Sequence, residues 1–324
     1  MDGYIHKSVL LEEAVAALKV KPDGVYVDAT LGGGGHSFEI ANRLKTGTLY
    51  AFDQDRYAIE KARERLKEFD NVVFVNANFA DLKAELAARG VEKIDGVLYD
   101  LGVSSFQFDI PERGFSYQHD SPLDMRMDQG ASFSAYDLVN GWSPERIADV
   151  LFRYGEEPFA RPIAKAIAKA RAVKPIATTF ELVDVIKGAL PAKVLAKKGH
   201  PAKQSFQAIR IAVNDELDAF SASLGQAADL LSAGGRIVAI TFHSLEDRIV
   251  KRMFLDLTGQ EETRRLPRDL PLRDEQLQAL VQALGRVVEP FPLAPSDEEI
   301  ARNPRARSAK LRVIEKLQVA FKGR

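Results

Sequence analysis

Three aspartates each close a short β-branched or aromatic run: Asp28 follows Val25 to Val27, Asp53 follows Leu49 to Phe52, and Asp100 follows Val97 to Tyr99. Carboxylates at strand ends can accept hydrogen bonds from a ligand's hydroxyls or face a cation, because open α/β sheets bind ligands at that edge. Between the first two lie four consecutive glycines, Gly32 to Gly35, followed by His36 and Ser37. Glycines there let backbone N–H groups touch a ligand directly at a helix N-terminus. A phosphate-binding loop would close on Gly-Lys-Ser/Thr, and here Gly35 is followed by His36-Ser37, so that chemistry is excluded. A dinucleotide fingerprint is met at Gly32 and Gly34, but its third glycine falls on Ser37. Glycines also mark ordinary tight turns, so the loop alone names no ligand.

Spacing adds detail. Asp28 precedes Gly32 in the pattern D-x-x-x-G-x-G, which resembles the first motif of S-adenosylmethionine methyltransferases. Asp53 lies about 20 residues past the glycines, where an acid can accept hydrogen bonds from both ribose hydroxyls of a nucleoside. It could equally cap a helix expected over Tyr57 to Leu66; the two roles are compatible, and the spacing favours the ribose. Phe79, just past a third strand over Asn71 to Val75, suits stacking on adenine or closing the core, with nothing to separate the two. His243 follows a fifth strand over Gly235 to Phe242 and stands where substrate contact is possible, although a lone histidine is more often structural.

The elements that must position these groups follow from periodicity. A helix over Ser8 to Leu18, then strands at Val25–Asp28, 47–53, 71–75 and 93–100 alternating with helices, predict a parallel, doubly wound α/β sheet. The alternation then stops. Phe106 to about Met127 reads as loop, and helices are expected over 143–152, 158–171 and 178–189, with Ser143 as a cap before Pro144 and a Thr178–Glu181 capping pair. These make an all-helical insertion over 106–204, with the sheet domain formed by 1–105 and 205–324. A single long helix is expected over Lys203 to Leu231, and a closing strand over Lys310 to Leu317; Gly259 to Asn303 stays unplaced.

Composition narrows the chemistry. The chain has no cysteine, which removes disulfides, cysteine-ligated zinc, iron–sulfur clusters and thiolate nucleophiles. A methyltransferase of this composition should attack with nitrogen or oxygen, since carbon 5 of a pyrimidine normally needs a covalent cysteine adduct. No metal is expected. The start lacks the features of a signal peptide, and no apolar run approaches the roughly 20 residues of a membrane span, so the expectation is a cytoplasmic protein without a membrane partner. The net charge of −1 means that any nucleic-acid surface must be local.

Five runs in order carry a more specific resemblance: Ala29 to Ser37 (ATLGGGGHS), Asp100 to Ser105 (DLGVSS), Pro122 to Asp128 (PLDMRMD), Thr241 to Arg248 (TFHSLEDR) and Asn303 to Ser308 (NPRARS), with His6 and Val9 to Glu13 near the start. Together they resemble the bacterial ribosomal RNA small subunit methyltransferase H family over essentially the whole chain. The resemblance implies a methyltransferase-type, Rossmann-like sheet with a helical insertion. It also implies S-adenosylmethionine as cofactor and, as substrate, the exocyclic N4 of a cytidine in the decoding region of 16S ribosomal RNA. By the family pattern Gly34, Gly35, His36, Asp53, Phe79, Asp100 and Gln107 contact the cofactor. Ser8, where proline is common, and Ser121, where glycine is common, depart from the pattern away from those positions.

Absence of cysteine agrees with an amine as target. The N4 lone pair is delocalised into the ring, so the enzyme must align nitrogen, methyl and sulfur, a positioning task worth up to ~7–11 kcal/mol. Asp100 is the candidate catalytic acceptor for the amine, with holding the cofactor's amino-acid end as its alternative role. For RNA, the helix after Pro158 sets Phe159, Ile163 and Ile167 against Arg161, Lys165 and Lys169 on the other face; Lys193, Lys197, Lys198 and Lys203 and the tail residues Arg302, Arg305, Arg307, Lys310 and Arg312 add further charge. Candidate substrate contacts are therefore His243, Lys165, Lys169, Arg305 and Arg307. The alternatives are a non-catalytic RNA-binding or assembly factor on the same fold, and an NAD-dependent oxidoreductase.

Overall fold

The computed structural model describes residues 8–260, 283–288, 290 and 292–318. His6 and much of the unplaced stretch after Gly259 lie outside them. In chain order the first segment contains α1 (Leu11–Leu18), β1 (Val25–Asp28), α2 (Gly35–Arg43), β2 (Thr48–Phe52), α3 (Arg56–Arg65), β3 (Val72–Val75), α4 (Leu82–Ala87) and β4 (Ile94–Asp100). A helical stretch follows: α5 (Ser105–Asp109), α6 (Ala135–Gly141), α7 (Pro144–Gly155), α8 (Ala160–Arg171), α9 (Thr179–Ala189), α10 (Ala192–Leu195) and α11 (Lys203–Asn214). The chain then runs through α12 (Glu216–Leu230), β5 (Leu231–Thr241), α13 (Ser244–Leu257), β6 (Gly285–Val287), α14 (Asp297–Arg302) and β7 (Lys310–Lys316). Two compact units result, one of Met1–Gly102 with Leu217–Arg324 and one of Val103–Glu216.

Among the described residues of the first unit, seven strands form one sheet in the order β3-β2-β1-β4-β5-β7-β6. β1 to β5 pair in parallel, while β7 runs antiparallel to both β5 and β6. Side-chain alternation divides the core between the two faces. Val27, Val97, Tyr99, Ile237 and Ala239 pack with Leu82 and Leu86 of α4, Phe220 and Leu224 of α12 and Phe254 of α13. Tyr26, Leu49, Leu98, Val238 and Ile240 pack with α1 and with Ile40 and Ala41 of α2.

The second unit is helical around its own core, with Leu138, Ile147, Leu151, Ile163, Ile167, Leu182, Ile186 and Ile209 fully buried. The expected caps are present: Ser143 accepts from Arg146 N with Pro144 as the first helical residue, and Thr178 and Glu181 form a capping box.

Several expectations are corrected. The helix expected over Lys203 to Leu231 is two helices, α11 ending at Asn214 and α12 beginning at Glu216, because Asp215 between them adopts φ 51, a left-handed conformation that an α-helix does not continue through; the helical unit runs to Glu216. The cap of α3 is Asp55, which accepts from Tyr57 N at 3.0 Å, so Asp53 is free of that duty. β5 ends at Thr241 rather than Phe242, and α13 begins at Ser244, with His243 as its N-cap. The stretch after Phe106, expected as loop, carries α5 and a 3₁₀ turn at Pro111–Arg113.

Candidate functional site

The site is built at the carboxyl ends of β1, β2, β4 and β5 in the first unit. Gly34 caps α2 at φ 74, a left-handed conformation that glycine adopts without strain. A Cβ on Gly35, the first residue of α2, would collide with the Ser8 hydroxyl oxygen. The Gly35 position thus lets the helix start pack directly against the Ser8 side chain.

Asp28 is fully buried, its Oδ2 accepting from Ser37 Oγ at 2.7 Å and its Oδ1 from Thr30 N at 3.1 Å. Burial pushes its carboxyl up to about 6 against the pull of these bonds. Asp53 accepts Gly32 N on Oδ2 at 2.9 Å and Asp55 N on Oδ1 at 2.8 Å, which fixes the carboxylate beside the glycine loop. Burial raises it to about 7, with smaller contributions from Asp55 and Asp28.

His36 is 3% exposed, and burial lowers its ring to about 4, so it is neutral. Its Nε2 lies 3.2 Å from the carbonyl oxygen of Val9. A carbonyl can only accept, so Nε2 carries the proton and Nδ1 presents a lone pair. That lone pair faces Asp100 Oδ2 at 3.6 Å. Asp100 itself is raised well above the carboxylate range by burial first, then by the charges of Asp28, Glu246 and Glu299. Its backbone N–H donates to Thr30 Oγ1 at 2.6 Å, and its Oδ1 is buried with no hydrogen-bond partner among the described residues. A buried acceptor left open in this way is suited to a cationic or N–H-bearing ligand.

Phe79 is half-buried on a 3₁₀ turn, edge-on to Tyr99 with ring centroids 6.0 Å apart. It therefore packs on the core while keeping one side exposed. His243 forms a capping box with Glu246: Glu246 Oε2 accepts from Phe242 N at 2.7 Å and His243 N at 3.2 Å. The His243 Nε2 lies 3.0 Å from Glu246 Oε1 but off the hydrogen-bonding direction. The role visible for this histidine is the structural one.

Gln107 lies in the second unit and is buried; its side-chain oxygen accepts from Ser104 N at 3.0 Å as part of the α5 capping box. Lys165 and Lys169, with Arg161, lie on the exposed face of α8, whose opposite face buries Ile163 and Ile167. In the first unit Arg305 and Arg307 are exposed on the turn Pro304–Ser308. Arg312 is not a surface cation: its Nε donates to Asp247 Oδ1 at 2.6 Å, and Asp247 also holds Lys251 at 2.8 Å and Lys310 at 3.7 Å. Sequence reasoning missed Glu246, Glu299 and Thr30 as neighbours of Asp100. Thr30 and Glu246 lie inside the quoted motifs, and that was the one signal available for them. Among the described residues no group of three histidines or acids is placed to hold a metal, and no helix is long and apolar enough to cross a membrane.

Comparison with known proteins identifies the family. The curated ribosomal RNA small subunit methyltransferase H of Lactiplantibacillus plantarum is 52% identical over 326 residues, covering 99% of this chain and 100% of its own. The protein of the same name from Exiguobacterium sibiricum is 51% identical, covering 97% and 99%. Among solved structures, an rRNA methylase from Streptococcus thermophilus aligns over 94% of this chain and 93% of its own, at 13% identity and a TM-score of 0.39, and adds nothing to the assignment. The model of the MraW methylase family matches residues 3–317, and the chain belongs to that family.

Proposed function

We propose that this protein transfers a methyl group from S-adenosylmethionine to the exocyclic N4 of a cytidine in 16S ribosomal RNA. The observation that carries the proposal is Asp100: a carboxyl at the sheet's carboxyl edge, with a buried unpartnered Oδ1, beside a glycine-opened helix start and a second fixed carboxylate, Asp53. The names of the two curated relatives support a small-subunit rRNA substrate, and action on ribosomes agrees with a cytoplasmic location.

The donor set fits the cofactor's chemistry. Asp53 has lone pairs left for ribose hydroxyls, Gly34 and Gly35 admit a close backbone approach, and Phe79 offers an exposed ring side for a base. The cofactor supplies a methyl on a sulfonium, already electrophilic, so the protein's task is alignment. Asp100 accepts a hydrogen bond from an ammonium or from the target amine; in the latter role it draws the N4 lone pair out of conjugation. The methylated amine is acidic, and no dedicated base is required. In the second unit, Lys165 and Lys169 contact RNA phosphates, and Arg305 and Arg307 do so from the first; Gln107 is retained as a cofactor contact on the family pattern, and His243 as a substrate-side group.

The decisive experiment is transfer from labelled S-adenosylmethionine to unmodified small subunits and to naked 16S rRNA, with the labelled nucleoside identified by mass spectrometry. N4-methylcytidine, lost in an Asp53→Ala control, is the expected product. A labelled nucleoside of any other kind overturns the target.

A further inference from the structure

The peptide joining Val9 to Leu10 is held at both ends. Its carbonyl accepts the Nε2–H of His36 at 3.2 Å, and its N–H donates to Glu299 Oε1 at 2.8 Å. Leu10 sits at φ 50 and ψ 38, the left-handed region, which costs an L-residue with a side chain free energy and persists only where surroundings over-determine it. Two things over-determine it here: the Leu10 side chain is 1% exposed in the core shared with Ile40 and Leu98, and its N–H is taken by Glu299. Glu299 is in turn fixed in the first turn of α14, where its own N–H donates to the Ser296 cap at 3.2 Å.

We infer that Glu299 is a positioning residue for Asp100: by holding the Val9–Leu10 peptide it fixes His36 as the Nε2–H tautomer, with the Nδ1 lone pair turned toward Asp100. A carboxylate accepting from a peptide N–H polarises that peptide and makes its carbonyl a stronger acceptor. A stronger carbonyl pins the histidine proton on Nε2, as outer partners orient histidine in metal sites. The path runs Glu299, Val9–Leu10, His36, Asp100, and gives α14, which lies in the stretch that sequence left unplaced, a task at the site. Asp28, Glu246 and Arg65 also act on Asp100 or His36 electrostatically, so the hydrogen bond has to be separated from the charge.

The consequence for ligand binding rests on the cofactor-facing role proposed for Asp100; the tautomer does not. The test is nitrogen-15 NMR of the histidine rings in the ligand-free full chain, with calorimetry of S-adenosylmethionine binding beside it. Wild type and Glu299→Gln should both show His36 protonated on Nε2, since the amide oxygen of Gln still accepts. Glu299→Ala should gain the Nδ1–H form and bind the cofactor roughly tenfold more weakly, the loss expected for one charge-assisted bond in an orienting chain. An unchanged tautomer in Glu299→Ala overturns the inference, and so does a Gln variant altered as much as the Ala variant. If the Ala variant does not fold, Glu299→Asp, one methylene short, is read with the same two outcomes. Wild type that binds no cofactor at all would instead remove the proposed function and leave the tautomer result standing.

Discussion

His36 Nδ1 and Asp100 Oδ2 stand 3.6 Å apart, and burial moves their ionisations in opposite directions, the histidine down to about 4 and the carboxyl well up. At neutral pH the histidine is therefore uncharged and the carboxyl is held back from ionising, so burial works against an ion pair between them. A cationic ligand reverses this by favouring the ionised carboxylate.

Cofactor binding is accordingly expected to release protons. Asp53, raised to about 7, must ionise to accept from hydroxyls at full strength, and the upward shift of Asp100 acts in the same direction. Affinity should rise as pH climbs through about 7. Calorimetry in buffers of different ionisation heat measures the proton count directly; enthalpies independent of buffer would contradict it.

Asp28 makes a stability prediction. Its folded carboxyl holds the proton more tightly than the unfolded chain does, so its contribution is complete below about 4 and is lost as pH rises through about 6. Asp28→Asn is expected to stabilise the ligand-free protein above pH 7 by an amount on the order of 1–3 kcal/mol and to flatten the dependence between those values. Thermal melts of both proteins across that range check the sign.

Asp53→Ala removes the acceptor of two backbone N–H groups, Gly32 and Asp55. Both the glycine loop and the proposed ribose contact suffer, and methyl transfer should fall by roughly a hundredfold or more, with most of the loss in cofactor affinity. Equilibrium binding separates this from a loss of turnover alone.

On α8, replacing Lys165 and Lys169 by alanine should weaken RNA binding and lower the slope of log affinity against log salt by roughly 1.5, two phosphate contacts' worth. Both side chains are exposed and neither lies in the core, so melting temperature should not change. An unaltered slope removes these residues from the interface.

Arg312→Ala is expected to do the reverse: lower stability and leave the salt slope alone. Asp247→Ala should cost more, about 3–5 kcal/mol, because removing the buried carboxylate strands the largely buried Arg312 and also releases Lys251. Denaturant unfolding of the two variants ranks them.

The parallel strands, the glycine turn and the three strand-end aspartates were legible because each depends on residues adjacent in sequence. Asp53 stands in the sequence as a candidate cap of the following helix and Asp55 is overlooked, since only the backbone decides which acid faces Tyr57. Arg312 looked like a free cation because its partner, Asp247, is brought to it by the antiparallel pairing of β7 with β5. The break at Asp215 left no trace in the apolar periodicity, which continues across it. Glu299 was invisible for the same reason as Asp247: its bond to Leu10 joins opposite ends of the chain.

That last bond also sets a schedule for biosynthesis. The first unit needs β5 and β7, which follow the whole second unit in the chain, and Leu10 can meet Glu299 only once 289 further residues have been made. A growing chain can close its helical insertion early, yet the surroundings of Asp100 are assembled last. A nascent chain from which α14 has not yet emerged thus lacks the finished pocket, however much of the parallel sheet has already formed.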